Sequence, residues 1–93
     1  MVIDLEAFKH ELKELVLSAA DKDEPQGGLT DDEVLFGPES RLMLDSLDAL
    51  QISMEIKKRY GIRLPDSKET RRALSSIAHL AEYLAMRRAN ERL

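Results

Sequence analysis

Asp45-Ser46-Leu47-Asp48-Ala49-Leu50-Gln51-Ile52-Ser53-Met54-Glu55-Ile56-Lys57-Lys58-Arg59-Tyr60-Gly61 decides the fold. Ala49, Ile52, Ile56 and Tyr60 recur at helical spacing and form one apolar stripe. Leu47, Leu50 and Met54 form a second, displaced one. Asp45 stands where an N-cap belongs, and Asp48 three residues later suits the positive end of a helix dipole. Gly61 follows the last apolar position and stops the helix, because glycine adopts the left-handed closing conformation without strain. The stretch therefore predicts a helix over residues 46–60. A helix apolar on two sides either lies deep in a bundle or offers one stripe to a partner.

Upstream, Leu5, Phe8, Leu12, Leu15, Val16 and Ala19 share one face, while Glu6, Lys9, Glu11, Lys13 and Glu14 fill the other. This predicts an amphipathic helix over residues 4–20 with Asp4 as its N-cap. Pro25 and Gly27-Gly28 break the pattern. Residues 21–44 are too many for bare loop in a compact domain. Thr30 and Glu33 have capping-box spacing and Gly37-Pro38 is a stop signal, so a short helix is expected over residues 31–36. Val34, Leu35, Phe36, Leu42 and Leu44 are expected to pin this segment to the core. Asp31-Asp32-Glu33 lacks the alternating ligand spacing of a calcium loop and reads as a helix start, not a metal site.

Downstream, Ile62-Arg63-Leu64-Pro65 reads as an extended connector, because proline disfavours helical backbone in the residue before it. Asp66 and Glu69 have capping-box spacing and open a brief helix over residues 67–73. Ser75 or Ser76 caps a last helix running to about residue 88, with Ile77, Leu80, Ala81 and Leu84 inward. Arg87, Arg88 and Arg92 would complement its negative pole. The expected architecture is all-α: a single domain over residues 1–93, a small four-helix bundle with a long first loop and a short third helix.

Charge is unevenly distributed. Residues 1–50 hold 13 Asp/Glu and 4 Lys/Arg, a net of −9, whereas residues 51–93 hold 5 and 10, a net of +5. Solvated helix faces would explain this, as would separate acidic and basic docking patches. The acidic balance and four aromatic residues argue against nucleic-acid binding. No apolar run approaches the ~20 residues of a membrane span. The N-terminus lacks the basic and apolar regions of a signal peptide, so a cytoplasmic monomer is expected.

Candidate chemistry is sparse. The chain has no cysteine, which excludes disulfides, zinc-thiolate sites and thiol catalysis by its own side chains. His10 and His79 lie within amphipathic helices with neither triad nor metal-ligand spacing around them. There is no P-loop and no dinucleotide-binding glycine pattern. The expectation is a protein that is not an enzyme. Ser46 remains: a serine hydroxyl at a helix N-terminus can carry a phosphate-linked group, which the amide donors and dipole there stabilise. Taken alone, Asp45-Ser46-Leu47-Asp48 is an ordinary helix start.

The flanks add to it. Leu42-Met43-Leu44-Asp45-Ser46-Leu47-Asp48-Ala49-Leu50 resembles the phosphopantetheine attachment site of the acyl carrier protein family, whose Asp-Ser-Leu pattern opens the second helix. Leu35-Phe36 stands about ten residues upstream, where that family often has an apolar pair. Tyr60-Gly61-Ile62-Arg63-Leu64-Pro65 resembles the segment closing the family's second helix, and residues 76–84 resemble its last. The resemblance covers essentially the whole chain. It implies a stand-alone, type II acyl carrier of the fatty-acid or polyketide-like kind. A phosphopantetheinyl transferase would attach 4′-phosphopantetheine from coenzyme A to Ser46, making a phosphoprotein whose reactive thiol belongs to the cofactor. Asp45, Leu47 and Asp48 would support recognition by the transferase. Leu47, Leu50, Met54 and Glu55 would dock acyl-transferring, condensing or modifying enzymes, with Lys57, Lys58 and Arg59 setting charge specificity. Ala49, Ser53 and Ile56 would lie near an acyl-chain cavity.

The chain departs from the family pattern in two places. Met43 replaces a glycine before the motif, where methionine resists φ > 0, so a different turn is expected there. Lys57-Lys58-Arg59 stands where fatty-acid carriers are often acidic, which points to a specialised carrier. Residues 69–76 also loosely resemble specialised carriers of aryl-polyene or polyketide-like clusters. Two alternatives remain: a peptidyl or aryl carrier with the same attachment chemistry, and a helical adaptor whose Ser46 only starts a helix.

Overall fold

The computed structural model describes residues 4–64 and 68–91. It is an all-helical bundle: α1 (Leu5–Ala19), α2 (Ser46–Tyr60), α3 (Lys68–Ala73) and α4 (Ile77–Glu91). Helix α1 packs against α2 and α4, and the short α3 packs against α4. The core is aliphatic: Leu12, Leu15 and Val16 of α1 meet Ile52 and Ile56 of α2 and Ile77, Leu80 and Leu84 of α4, all fully buried. Phe8 and Tyr60 cross edge-to-face at 5.4 Å, joining the start of α1 to the end of α2. Leu5 belongs to the helical stripe of α1 but is exposed, because it is the first residue of the helix, next to the Asp4 cap.

Helix ends follow local chemistry. The Asp4 carboxylate accepts the Ala7 N–H at 3.3 Å. At the other end of α1, Lys22 N–H donates to the Leu17 carbonyl and Asp21 N–H to the Ser18 carbonyl, with Asp21 at φ 53. That is a Schellman closure made with aspartate where glycine is usual, and it ends the helix before Pro25 is reached. Gly61 closes α2 at φ 69. Ser76, not Ser75, caps α4: its Oγ accepts the His79 N–H at 3.2 Å. Helix α4 runs to Glu91, past the expected end. Arg87 reaches back to the Arg63 carbonyl and lies over the Tyr83 ring, tying the end of α4 to the connector after α2. The expected cap by Asp66 and Glu69, and the roles given to Arg88 and Arg92, fall outside the described residues and side chains.

The expected helix over residues 31–36 does not form; the segment is a turn followed by extended chain. Half of its capping box is present, since Glu33 accepts the Thr30 N–H at 2.7 Å. The backbone groups a helix would use internally are taken by other segments. The Asp31 carbonyl accepts from Ala78 N–H, and Leu35 N–H donates to the Ser75 carbonyl. The Leu35 carbonyl receives Leu44 N–H and the Ser40 hydroxyl. Phe36 and Leu44 form a parallel bridge that brings the two ends of this stretch side by side. Leu35, Leu42 and Leu44 are buried as expected, while Val34 is half exposed.

Side chains complete the loop. Arg41 donates to the carbonyls of Gln26 and Gly28, each at 2.7 Å, and to both oxygens of Glu33 at 2.6 and 3.0 Å. Bidentate arginine–carboxylate pairing adds orientation to attraction. Arg41 holds the Glu33 carboxyl below the usual carboxylate range. Asp31 ties the loop to α1, meeting Lys13 at 2.8 Å and Lys9 at 3.3 Å. Among the described residues no buried side-chain polar atom lacks a partner.

Lys13 first, then Lys9, hold the Asp31 carboxyl below the usual carboxylate range. A carboxyl depressed by folding stabilises above its unfolded value, about 4, and that contribution is lost as pH falls through the folded value. Asp31→Asn should therefore lower the melting temperature at pH 7, and the gap to wild type should close as pH is taken from about 4 toward 2. Thermal melts by circular dichroism across that range test this; a gap that does not change with pH refutes the ion-pair account.

Candidate functional site

The loop delivers the chain to the start of α2 in one orientation. Ser40 is buried, and its Oγ donates to the Leu35 carbonyl while accepting the N–H groups of Leu42 and Met43. Met43 takes φ 48. The left-handed turn expected only of glycine is thus kept with methionine, correcting the sequence-based expectation. The Ser40 hydroxyl and the Phe36–Leu44 bridge hold the backbone on either side, and the Met43 side chain points to solvent at 63% exposure.

Asp45 and Asp48 then close a reciprocal cap. Each carboxylate accepts the other residue's N–H at 3.0 Å. The Asp48 N–H is the main reason the Asp45 carboxyl lies below its usual range. These carboxylates are therefore occupied in fixing the helix start. Ser46, between them in the first helical position, is exposed. Its hydroxyl stands at the positive end of a 15-residue helix.

Beside Ser46 opens a cavity of about 570 Å³. Val34, Phe36 and Leu44 of the loop, Ala49 of α2 and Leu74 make its apolar wall; Arg71 and Ser75 bring polar groups from the α3 side. The volume is ordinary for a small-molecule site, for which roughly 300–1,000 Å³ is usual. Of the three residues expected near a cavity, Ala49 lines it. Ser53 and Ile56 do not, and Ile56 is sealed in the core. Sequence reasoning missed Val34, Leu74, Arg71 and Ser75 as lining residues. They come from segments far apart in the chain, and no spacing signal joins them to Ser46.

The second stripe of α2 is bare: Leu47, Leu50 and Met54 are 70, 56 and 58% exposed. Lys57 and Lys58 are also exposed, and Glu55 pairs with Arg59 at 3.6 Å. The two histidines engage residues three or four positions away. His10 meets Glu14 at 3.3 Å, and His79 Nδ1 lies 2.7 Å from Ser76 Oγ. Among the described residues no group of three histidine, aspartate or glutamate side chains is placed to hold a metal ion.

An exposed serine at a rigid helix start, over a cavity and beside a bare apolar helix face, is the arrangement of a domain built to carry a tethered group. A family profile described as "Phosphopantetheine attachment site" matches residues 10–84. The match covers most of the chain, which therefore belongs to that family, whose members covalently carry 4′-phosphopantetheine. No curated protein and no solved structure matches the chain. The residues fit the group: Ser46 is accessible in the first position of α2, at the positive end of its dipole, where negative charge is favoured.

The Met43 conformation yields a test. A non-glycine residue in the left-handed region carries about 1–2 kcal/mol of strain, while glycine costs about 0.5–1 kcal/mol more chain entropy on folding. Met43→Gly should therefore stabilise the fold by about 0.5–1 kcal/mol, measured by urea unfolding. A destabilisation would show that the methionine side chain contributes packing that outweighs the strain.

Proposed function

We propose that the protein is an acyl carrier rather than a catalyst, with Ser46 as its attachment residue. The observation that carries this is the exposed Ser46 at the mouth of the cavity, on a helix start whose backbone the Asp45–Asp48 cap fixes. A phosphopantetheinyl transferase would direct Ser46 Oγ onto the phosphorus of coenzyme A that bears pantetheine. The Oγ–P bond forms, the pyrophosphate P–O bond breaks, adenosine 3′,5′-bisphosphate leaves and the serine proton passes to a base of the transferase. The arm supplies a thiol that holds acyl groups as thioesters.

The chain's own residues have separate duties in this reading. Asp45 and Asp48 position Ser46 and present the helix start to the transferase, with Leu47 as the adjoining apolar contact. Leu50 and Met54 extend that contact for acyl-transferring, condensing or modifying enzymes. The apolar wall of Phe36, Leu44, Ala49 and Leu74 shelters part of the tethered group from water. The basic end of α2 supports a specialised fatty-acid or polyketide-like pathway, and we assign the protein to the cytoplasm. Among the described residues no helix is long and apolar enough to cross a membrane.

Intact-protein mass after incubation with coenzyme A and a broad-specificity transferase tests the proposal. The wild type should gain the mass of one phosphopantetheine, and Ser46→Ala should gain none. No gain on the wild type sinks the carrier reading and leaves an adaptor; a gain that persists in Ser46→Ala sinks the site assignment. Asp45→Ala should load more slowly and melt earlier, because Asp48 N–H loses its acceptor and the helix start frays.

A further inference from the structure

The seven residues expected to dock partners do not share one face. On a 3.6-residue helix, Leu47, Leu50 and Met54 stand within about 60° of one another. Lys57 and Lys58 fall within about 20° of either edge of that stripe and close it at its C-terminal end. Glu55 and Arg59 lie more than about 100° round from the stripe's centre, toward Ile52, and neutralise each other across 3.6 Å. Lys57 and Lys58 make no ion pair among the described residues. The outward face of α2 is thus a row of bare apolar side chains ending in two uncompensated cations.

We infer that this face docks an acyl-processing enzyme whose matching surface is an apolar groove with carboxylates at its far end. Resting on the carrier reading above, the geometry also fixes where those carboxylates lie. Lys57 and Lys58 follow Ser46 by 11 and 12 positions, so at 1.5 Å per residue they stand roughly 17 Å along the helix from the arm. The partner's acidic group therefore sits roughly 17 Å from the opening that receives the arm. The whole chain carries a net charge of −4, which taken alone would favour basic partners. At physiological ionic strength, however, charges are screened over about 8 Å, so the acidic helix start is about two screening lengths from the lysines and the local pair decides the contact. A partner with basic residues at that position meets like charge and is rejected. An anionic lipid surface is a poorer occupant: only two cations face it, and the rest of an acidic protein is repelled.

Two purified condensing enzymes of known structure serve as probes, one with carboxylates and one with lysines or arginines about 17 Å from the active-site entrance. The holo-protein, its arm confirmed by mass, is loaded with a short acyl group, and kcat/KM for transfer to each enzyme is measured at physiological and at high salt. The acidic-patch enzyme should be acylated at least tenfold more efficiently at physiological ionic strength, with the preference shrinking at high salt as the lysine–carboxylate contact is itself screened. Lys57→Glu/Lys58→Glu should reverse the preference. Exchanging Glu55 and Arg59 (E55R/R59E) should leave it unchanged. Equal use of both enzymes, or preference for the basic one, overturns the inference. Direct binding of the unloaded chain to both enzymes reads the same preference without the arm, so failure of attachment at Ser46 is told apart from failure of docking. Lysine-dependent co-sedimentation with phosphatidylglycerol vesicles, or a lysine-dependent dimer in light scattering, would also overturn it, in favour of a membrane or a second copy.

Discussion

The four hydrogen bonds of Arg41 are the constraint on which the site depends. Residues 20–45 join two helices without forming one themselves, so their backbone polar groups need partners that regular structure would otherwise supply. One guanidinium gathers two carbonyls and a carboxylate from residues 26, 28 and 33. Its neighbour Ser40 does the same at closer range for residues 35, 42 and 43. Together they turn a long connection into a platform that ends at Asp45. Leu35, Leu42 and Leu44 anchor it from below by burial. Without this bracing, the reciprocal aspartate cap would start a helix but would not aim it.

What the sequence reveals follows from the range of the interaction concerned. The cap of α1, both ends of α2 and the stripes of all three long helices depend on residues within four positions of one another, and each was readable. The failure over residues 31–36 came where partners are distant. Residues 31–36 have a sound local case for a helix, yet Ser75 and Ala78 claim the backbone groups that helix would need. Tertiary hydrogen bonds there outbid local propensity. Met43 shows the opposite error. Its side chain argued against a left-handed turn, but the bonds of Ser40 and Leu44 impose the conformation regardless of residue type.

The candidate site was legible to the same degree. Ser46 and its aspartates form a continuous segment and could be recognised as one. The bare stripe of Leu47, Leu50 and Met54 was visible as a pattern, although only burial shows that it faces solvent. The cavity was not legible, because its wall combines the loop, α2 and the α3–α4 junction. Nor was the Glu55–Arg59 pair, which offsets two charges that a linear reading counts with Lys57 and Lys58.

The bonds that displaced the expected helix also have a mechanical meaning. Leu35 N–H to the Ser75 carbonyl and Ala78 N–H to the Asp31 carbonyl stitch one rim of the cavity to the base of α4. That rim is held by backbone bonds, so the cavity cannot widen on the side of the loop without breaking them. The cavity is thus a pouch with one sewn edge, stitched where the loop meets the base of α4.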